Sequence, residues 1–542
     1  MNKFIKTNIF ILIIVFFAFF FRVVNVNINP PSLSWDEVSI GYNAFSILKT
    51  ARDEHGIFLP LDTFAAYGDY KPPLSVYLTV PFVWIFGLNE TAVRLPSVLA
   101  GTVTVFLAYL LVMELFYSHK KKKQLAYLTA GLLAISPWHI ILSRAGFEAN
   151  IALVFLVWGI ILALKTRFDS KLFIYLWIPY VLAVYTFNSS RYVAPLIGLG
   201  LVYVLRKKIS IAPITFIKGV IIAVVFLLPI IPHILSPQAR LRFKEVNIFS
   251  ELSIIENANL NMKIDQNSLF SKIIHNRRFG YARSYLSHFF DHFQPNFLFV
   301  KGDGNPKFSI QDTGQLYIIE APLLIFGVLF LLTKRKKIGL FLLFWLFTSI
   351  IPAATARETP HALRIENSLP VWQIFIAFGL VGINRMIKNK KIKYLMYVIV
   401  CSVYLFEFSF FYHTYMNHFP KKYSREWQYG YKNAIEFING VSKDYKSVVI
   451  SDSIGRPYMY TLFYTQYDPD KFRNSKDAYF DAAGFYNVRG FDKYRFVRGA
   501  PSEFDSDSIY VLPPDHIPDN SRILTDVKLL NGEIVYKIFD IR

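Results

Sequence analysis

Two adjacent acids, Asp36 and Glu37, open an apolar stretch in the segment Ser32-Leu33-Ser34-Trp35-Asp36-Glu37. Ser34 followed three residues later by Glu37 is a capping box, which places both acids in the first turn of a helix running to about Ala51. Unpaired backbone N–H groups and the helix dipole favour a carboxylate there. A positioned carboxylate suits a general base that takes a proton from a hydroxyl. Acids in a first turn are commonly caps, and Glu37 reads as one; for Asp36, cap and base stand level on local grounds. Other charges recur along the chain: Lys71 in Gly68-Asp69-Tyr70-Lys71-Pro72-Pro73, Arg144 and Glu148 around Ala145-Gly146-Phe147, Arg191 after Asn188-Ser189-Ser190, and His361 and Arg364 in His361-Ala362-Leu363-Arg364. Arg144 and Glu148, four apart, also read as a structural pair on one helical turn, and Arg191 and Arg364 as helix-end anchors. Cations beside one acid at a lipid–water boundary are what a lipid-linked phosphate requires. His288-Phe-Phe-Asp291-His292 has no specific metal-ligand spacing, and ordinary polar contacts are the stronger reading of it.

The element that must position these residues is a membrane. The chain has 542 residues, 54% hydrophobic and 17% aromatic, above the roughly 45–50% apolar content of soluble domains. Long apolar runs such as Ile9–Phe21, Val220–Ile234 and Tyr394–Tyr412 match the roughly 20 residues that cross a bilayer as a helix. The net charge of +21 does not point to nucleic acid. Its cations cluster between the runs, at Lys120–Lys123, Arg206–Lys208, Lys334–Lys337 and Lys388–Lys393, as cytoplasmic loops do. Cys401, the single cysteine, falls inside a span, so no intrachain disulfide forms. The N-terminal run lacks a small-residue cleavage site after it and reads as a retained first span.

Placing every basic cluster inside yields about eleven spans, near 8–24, 92–116, 124–142, 149–165, 172–187, 191–205, 219–234, 315–333, 338–354, 369–386 and 394–412. The remaining apolar segment, Pro73–Leu88, is short and interrupted by Pro81; counted as a span it would turn the later lysine clusters outward, so it reads as a juxtamembrane or re-entrant helix. The stripe Ile40, Ala44, Ile47, Leu48 and Ala51 is likewise expected to lie on the membrane. Two long outer loops follow, 25–91 and 235–314. The catalytic membrane region is then 1–412, and 413–542 a small extracytoplasmic α/β domain, with strands at Ser447–Ser451 and Ser508–Leu512 and a hairpin across Asn531-Gly532.

At these residues the sequence resembles glycosyltransferase family 39, the protein mannosyltransferase and aminoarabinose-transferase group of GT-C fold. The likeness covers roughly 8–412 and rests on Trp35-Asp36-Glu37, Lys71-Pro72-Pro73-Leu74, Asn89-Glu90 with Arg94-Leu95-Pro96-Ser97, Ser136-Pro137 with Arg144 and Glu148, and His361-Ala362-Leu363-Arg364. It implies a polytopic α-helical membrane enzyme that transfers a hexosyl or pentosyl group from a polyprenyl-phosphate donor, with inversion, to a protein, lipid or glycan acceptor outside the cell membrane. By motif, Asp36 is the base and Glu37 completes the acidic pair. Lys71, Arg144, Arg364 and His361 meet the donor phosphate, and Glu148, Arg191 and Tyr70 the substrates. No cofactor or metal is required, although some relatives bind a divalent metal. A transporter or flippase of lipid-linked saccharides is the rival from another class; it places its charges near the bilayer midplane in paired repeats, whereas here they stand at span ends and no repeat is evident.

Overall fold

A computed structural model describes residues 2–236, 247–481 and 485–541. Part of the expected outer loop, 237–246, lies outside the described residues. The chain forms two units, each discontinuous in sequence. The first comprises 1–18, 101–142 and 149–411; the second comprises 19–100, 143–148 and 412–542.

The first unit is helical. Each of the expected spans overlaps helix at least in part, some of them reaching into the second unit, and six helices among the described residues are long and apolar enough to cross a membrane. A seventh counts if Lys122–Ile135 and Pro137–Arg144, bent by 56°, make one span. The bend falls at Ser136-Pro137, where proline withdraws an N–H donor and crowds the preceding turn. Trp138 Nε1–H donates to the Ala362 carbonyl at 3.2 Å, and Tyr317 O–H to the Ile135 carbonyl at 2.6 Å. Both bonds satisfy buried polar tips of otherwise apolar rings. Cys401 lies exposed in the helix Lys390–His413.

The second unit contains the first-loop helix Trp35–Thr50, a small hairpin and a mixed sheet. Ser34 and Glu37 form the expected capping box: Ser34 N–H donates to Glu37 Oε2 at 2.8 Å and Glu37 N–H to Ser34 Oγ at 3.4 Å. The hairpin pairs β1 (Phe64–Ala66) with β2 (Asp69–Lys71) through Tyr67-Gly68. Both turn residues have positive φ, 58° and 93°, the signature of a tight turn for which glycine is suited. The helix Leu74–Phe86 that follows contains Pro81 and leaves Trp84, Ile85 and Phe86 exposed. At about 1.5 Å per residue it falls short of a bilayer's hydrocarbon thickness.

The tail contributes β3 (Ser447–Ser451), β4 (Asp477–Phe480), β5 (Tyr486–Phe491), β6 (Tyr494–Val497), β7 (Ser508–Leu512), β8 (Ser521–Lys528) and β9 (Ile534–Ile541). They order as β4-β5-β6-β3-β7-β9-β8, with β3 parallel to β6 and β7 and the other pairs antiparallel. The fully buried strand β7 reads Ser-Ile-Tyr-Val-Leu, as a central strand covered on both faces must. The expected membrane-facing stripe on Trp35–Thr50 is a correction. Ile40, Ala44 and Ile47 are buried in one core with Tyr458, Leu462 and Phe463 of the helix Pro457–Tyr464. Protein covers these three positions, because a segment over 400 residues away in sequence folds onto them, while Leu48 of the same stripe stays exposed and Ala51 is half-buried.

Candidate active site

The hairpin turn sets the site. Strand β2 alternates sides, so Asp69 and Lys71 share a face, and Lys71 is delivered into a ring of carboxylates. Its Nζ lies 3.2 Å from Asp36 Oδ1, 2.9 Å from Glu148 Oε1 and 4.0 Å from Asp69 Oδ2. The lysine and Glu148 are each 8% exposed at the side chain, while Asp36 is 34% exposed. Asp36 is thus the member of the cluster most open to an incoming molecule. Burial would lower the Lys71 pKa, but Asp36, Glu148 and Asp69 outweigh it and raise the ammonium above its ordinary value. Lys71 is a permanent cation at neutral pH.

Glu37 faces the other way. It is fully buried, its Oε1 accepting from Arg94 Nε and from the Gly146 N–H, both at 2.9 Å. Arg94, also fully buried, donates to the carbonyls of Val26, Pro30 and Ser32. A Cβ at Gly146 would meet Glu37 Cγ and the Val93 carbonyl at 3.3 Å, so glycine lets this backbone close on the acid. Glu37 therefore ties three segments of the unit together beneath Asp36.

Arg144 and Glu148 do not form the expected one-turn pair. One helix ends at Arg144 and the next begins at Glu148, with Ala145-Gly146-Phe147 between them, so the spacing of four is not helical. Glu148 turns to Lys71 instead. The Arg144 guanidinium is buried, donates to the carbonyls of Phe21, Arg22 and Asn29 at 2.9, 3.1 and 2.8 Å, and lies over the Tyr415 ring. It latches backbone and does not join the Lys71 cluster. Tyr70 lies between Asp69 and Lys71 on β2, half-buried.

Arg191, His361 and Arg364 belong to the first unit. Arg191 lies in the first turn of the helix Ser190–Ile209. Arg364 Nη1 donates to the Glu358 carbonyl at 3.1 Å. His361 is buried against Phe308, with Nδ1 3.8 Å from Asp303 Oδ2. Burial, then Arg364 and His292, push its pKa well below the ordinary value, so its imidazole is neutral. Asp303 holds this turn through the N–H groups of Ala362 at 2.6 Å and Asn305 at 2.8 Å. His288 bonds the Ala356 carbonyl, Asp291 accepts from the Thr359 hydroxyl and the Gln294 amide, and the His292 ring bonds the His288 carbonyl.

Among the described residues no set of three His, Cys, Asp or Glu side chains gathers as metal ligands. Around Asp36 the donor set does not suit a divalent cation, because the Lys71 ammonium occupies the space between the carboxylates. Two participants are not among the site residues expected from sequence. Asp69 is signalled by its two-residue spacing from Lys71 on a strand; Arg94 stands in the motif Arg94-Leu95-Pro96-Ser97, but its role is not legible there, since its partners come from other segments.

Residues 70–235 match the family model described as dolichyl-phosphate-mannose-protein mannosyltransferase. No curated protein matches the chain in sequence. Among solved structures, ArnT from Cupriavidus metallidurans bound to undecaprenyl phosphate is similar, with TM-score 0.54 and 9% identity over 98% of both chains. The oligosaccharyltransferase of Archaeoglobus fulgidus, tethered to an acceptor peptide containing the NVT sequon, aligns with TM-score 0.53 and 13% identity over 85% of this chain and 63% of the other. The same archaeal protein in complex with Zn and sulfate aligns with TM-score 0.51 and 14% identity over 84% and 61%. The shared fold is of the GT-C type.

Proposed function

We propose that this multi-pass membrane protein is an inverting glycosyltransferase that takes a hexosyl or pentosyl group from a polyprenyl-phosphate carrier. The observation that carries the reading is the Asp36–Lys71 pair at 3.2 Å, with Asp36 the exposed partner. The similarity of fold to a protein solved with undecaprenyl phosphate, and of residues 70–235 to a mannosyltransferase family, supports it.

In this reading the Asp36 carboxylate accepts the proton of an acceptor hydroxyl while the hydroxyl oxygen attacks C1 of the sugar. The C1–O bond to phosphate breaks with inversion, and the polyprenyl phosphate leaves with the bonding pair. Lys71, held cationic by its carboxylate ring, stabilises the charge growing on that phosphate; preorganised charge of this kind is often the largest catalytic contribution. Glu148 and Asp69 aim Lys71, and Glu37 with Arg94 positions Asp36. Arg364 and His361 remain candidate donor contacts on the first unit, His361 as a neutral hydrogen-bonding group. The step as written requires no cofactor.

The basic clusters support eleven spans with their loops in the cytoplasm of a cell whose plasma or inner membrane holds the protein. The region 1–412 is then the catalytic membrane domain, and Asp36 and the tail 413–542 lie on the extracytoplasmic side. The acceptor is a protein, lipid or glycan hydroxyl presented there. Purified protein incubated with radiolabelled polyprenyl-phosphate sugars and a cell-envelope fraction tests the proposal. Label transferred to the envelope with release of the carrier is the expected result, and no transfer from any hexosyl or pentosyl donor overturns it.

A further inference from the structure

Between Leu269 and Phe290 the chain carries four cations, Lys272, Arg277, Arg278 and Arg283, and no acid. Most of this stretch is the helix Arg277–Asp291, none of whose residues is buried. One side is tied to its own unit: Tyr285 O–H donates to the Ile351 carbonyl at 3.3 Å, the His288 ring bonds the Ala356 carbonyl at 2.9 Å, and the Phe289 ring lies 5.9 Å from that of Phe347. On the other side Phe279, Leu286 and Phe290, at i, i+7 and i+11, are 53%, 54% and 62% exposed. Helical spacing puts these three on one stripe. Just before it, Leu269, Phe270 and Ile273 are exposed as well. Beside the helix runs a groove of about 610 Å³ lined by Phe249, Arg278, Tyr281, Ala282, Tyr285 and Leu286, within the roughly 300–1,000 Å³ range of small-ligand sites. Its walls are mostly apolar, with the Arg278 side chain and the ring hydroxyls of Tyr281 and Tyr285 as the polar groups.

An apolar stripe with flanking arginines is too short and too basic to cross a bilayer, yet too apolar to face water. Such a helix lies in the plane of the headgroups. The groove adds a place for one apolar chain beside a guanidinium suited to a phosphate. We propose that the helix Arg277–Asp291 and its groove form a binding site for an anionic phospholipid of the surrounding bilayer, an acyl chain occupying the groove and the phosphate meeting Arg278. The surface stands whether or not the chain transfers sugar, because its occupant is bulk lipid and not the donor.

The test uses the full chain in nanodiscs of phosphatidylcholine and phosphatidylglycerol in equal parts, with retained lipids counted by native mass spectrometry. Wild type should retain phosphatidylglycerol preferentially. The R277Q/R278Q/R283Q variant should lose that preference by about fivefold per cation removed. Equal retention by the variant overturns the proposal. So does selective, arginine-dependent retention of added polyprenyl phosphate without any preference for phosphatidylglycerol. Should the triple variant not fold, a fluorophore at Leu286→Cys in a Cys401→Ser background keeps the question open to disproof. Brominated phosphatidylglycerol should quench it more than brominated phosphatidylcholine, and absence of quenching by either lipid, or equal quenching by both, contradicts the site.

Discussion

Glu148 closes on Lys71 at 2.9 Å across 77 positions of chain, and both side chains are nearly sealed from water. A lysine that would otherwise be a mobile surface cation is thereby fixed beside Asp36. Glu148→Gln should leave Lys71 paired only with Asp36 and Asp69 and free to shift. Turnover should fall by about 100-fold, as expected for a misplacement of about 1 Å, with little change in unfolding midpoint. Steady-state kinetics beside thermal unfolding in detergent separate the two, and unchanged turnover would remove Glu148 from the positioning role.

The Glu37–Arg94 pair should behave as structure. Removing one partner strands the other charge in a site without water, at a cost of about 3–5 kcal/mol. Glu37→Gln and Arg94→Leu should each lower the unfolding midpoint sharply. Combined, they should cost much less than their sum, because the double variant strands no charge; strict additivity in a double-mutant cycle would show that the two residues do not act as a pair.

These two pairs show what sequence can and cannot display. The Ser34–Glu37 capping box and the Asn531-Gly532 hairpin are legible because each is encoded within four residues. The basic clusters between apolar runs are legible for the same reason. Lys71–Glu148 and Glu37–Arg94 are not, since their partners lie 77 and 57 positions apart. Arg144 and Glu148 misled because a spacing of four implies a shared helical face only where the helix continues, and here it breaks at Ala145-Gly146-Phe147. The stripe on Trp35–Thr50 misled because an apolar face does not announce whether lipid or Phe463 will cover it.

Arg144 is expected to act as a latch. Its planar fork reaches three carbonyls at once, which a lysine's single ammonium cannot reproduce. Arg144→Lys should therefore lower the yield of folded protein nearly as much as Arg144→Ala. The folded fraction of Arg144→Lys should bind polyprenyl phosphate as wild type does, measured by scintillation proximity. Normal folding with binding weakened tenfold or more would make Arg144 a phosphate ligand instead.

Acid should act on the first unit through two groups of opposite sign. Burial raises the Asp303 carboxyl to about 6, and burial lowers the His292 imidazole to about 4. A raised carboxyl contributes stability that is present at low pH and lost as pH rises through about 6; a lowered imidazole costs stability as pH falls from its unfolded value of about 6.5 toward 4. In wild type the two partly cancel between about pH 4 and 6. Asp303→Asn removes the compensating group, so its unfolding free energy should fall more steeply on acidification than that of wild type, by an amount on the order of 2 kcal/mol across the window. Parallel pH profiles for the two proteins would refute the assignment.

The account turns on Asp36 as the base. Purified wild type and Asp36→Asn should be compared for carrier release from a radiolabelled polyprenyl-phosphate sugar in the presence of acceptor, with donor affinity measured on the same preparations. Loss of turnover by about 10²–10⁴-fold, the usual contribution of general-base catalysis, with donor binding retained, is the predicted result. Turnover equal to wild type in Asp36→Asn would contradict it.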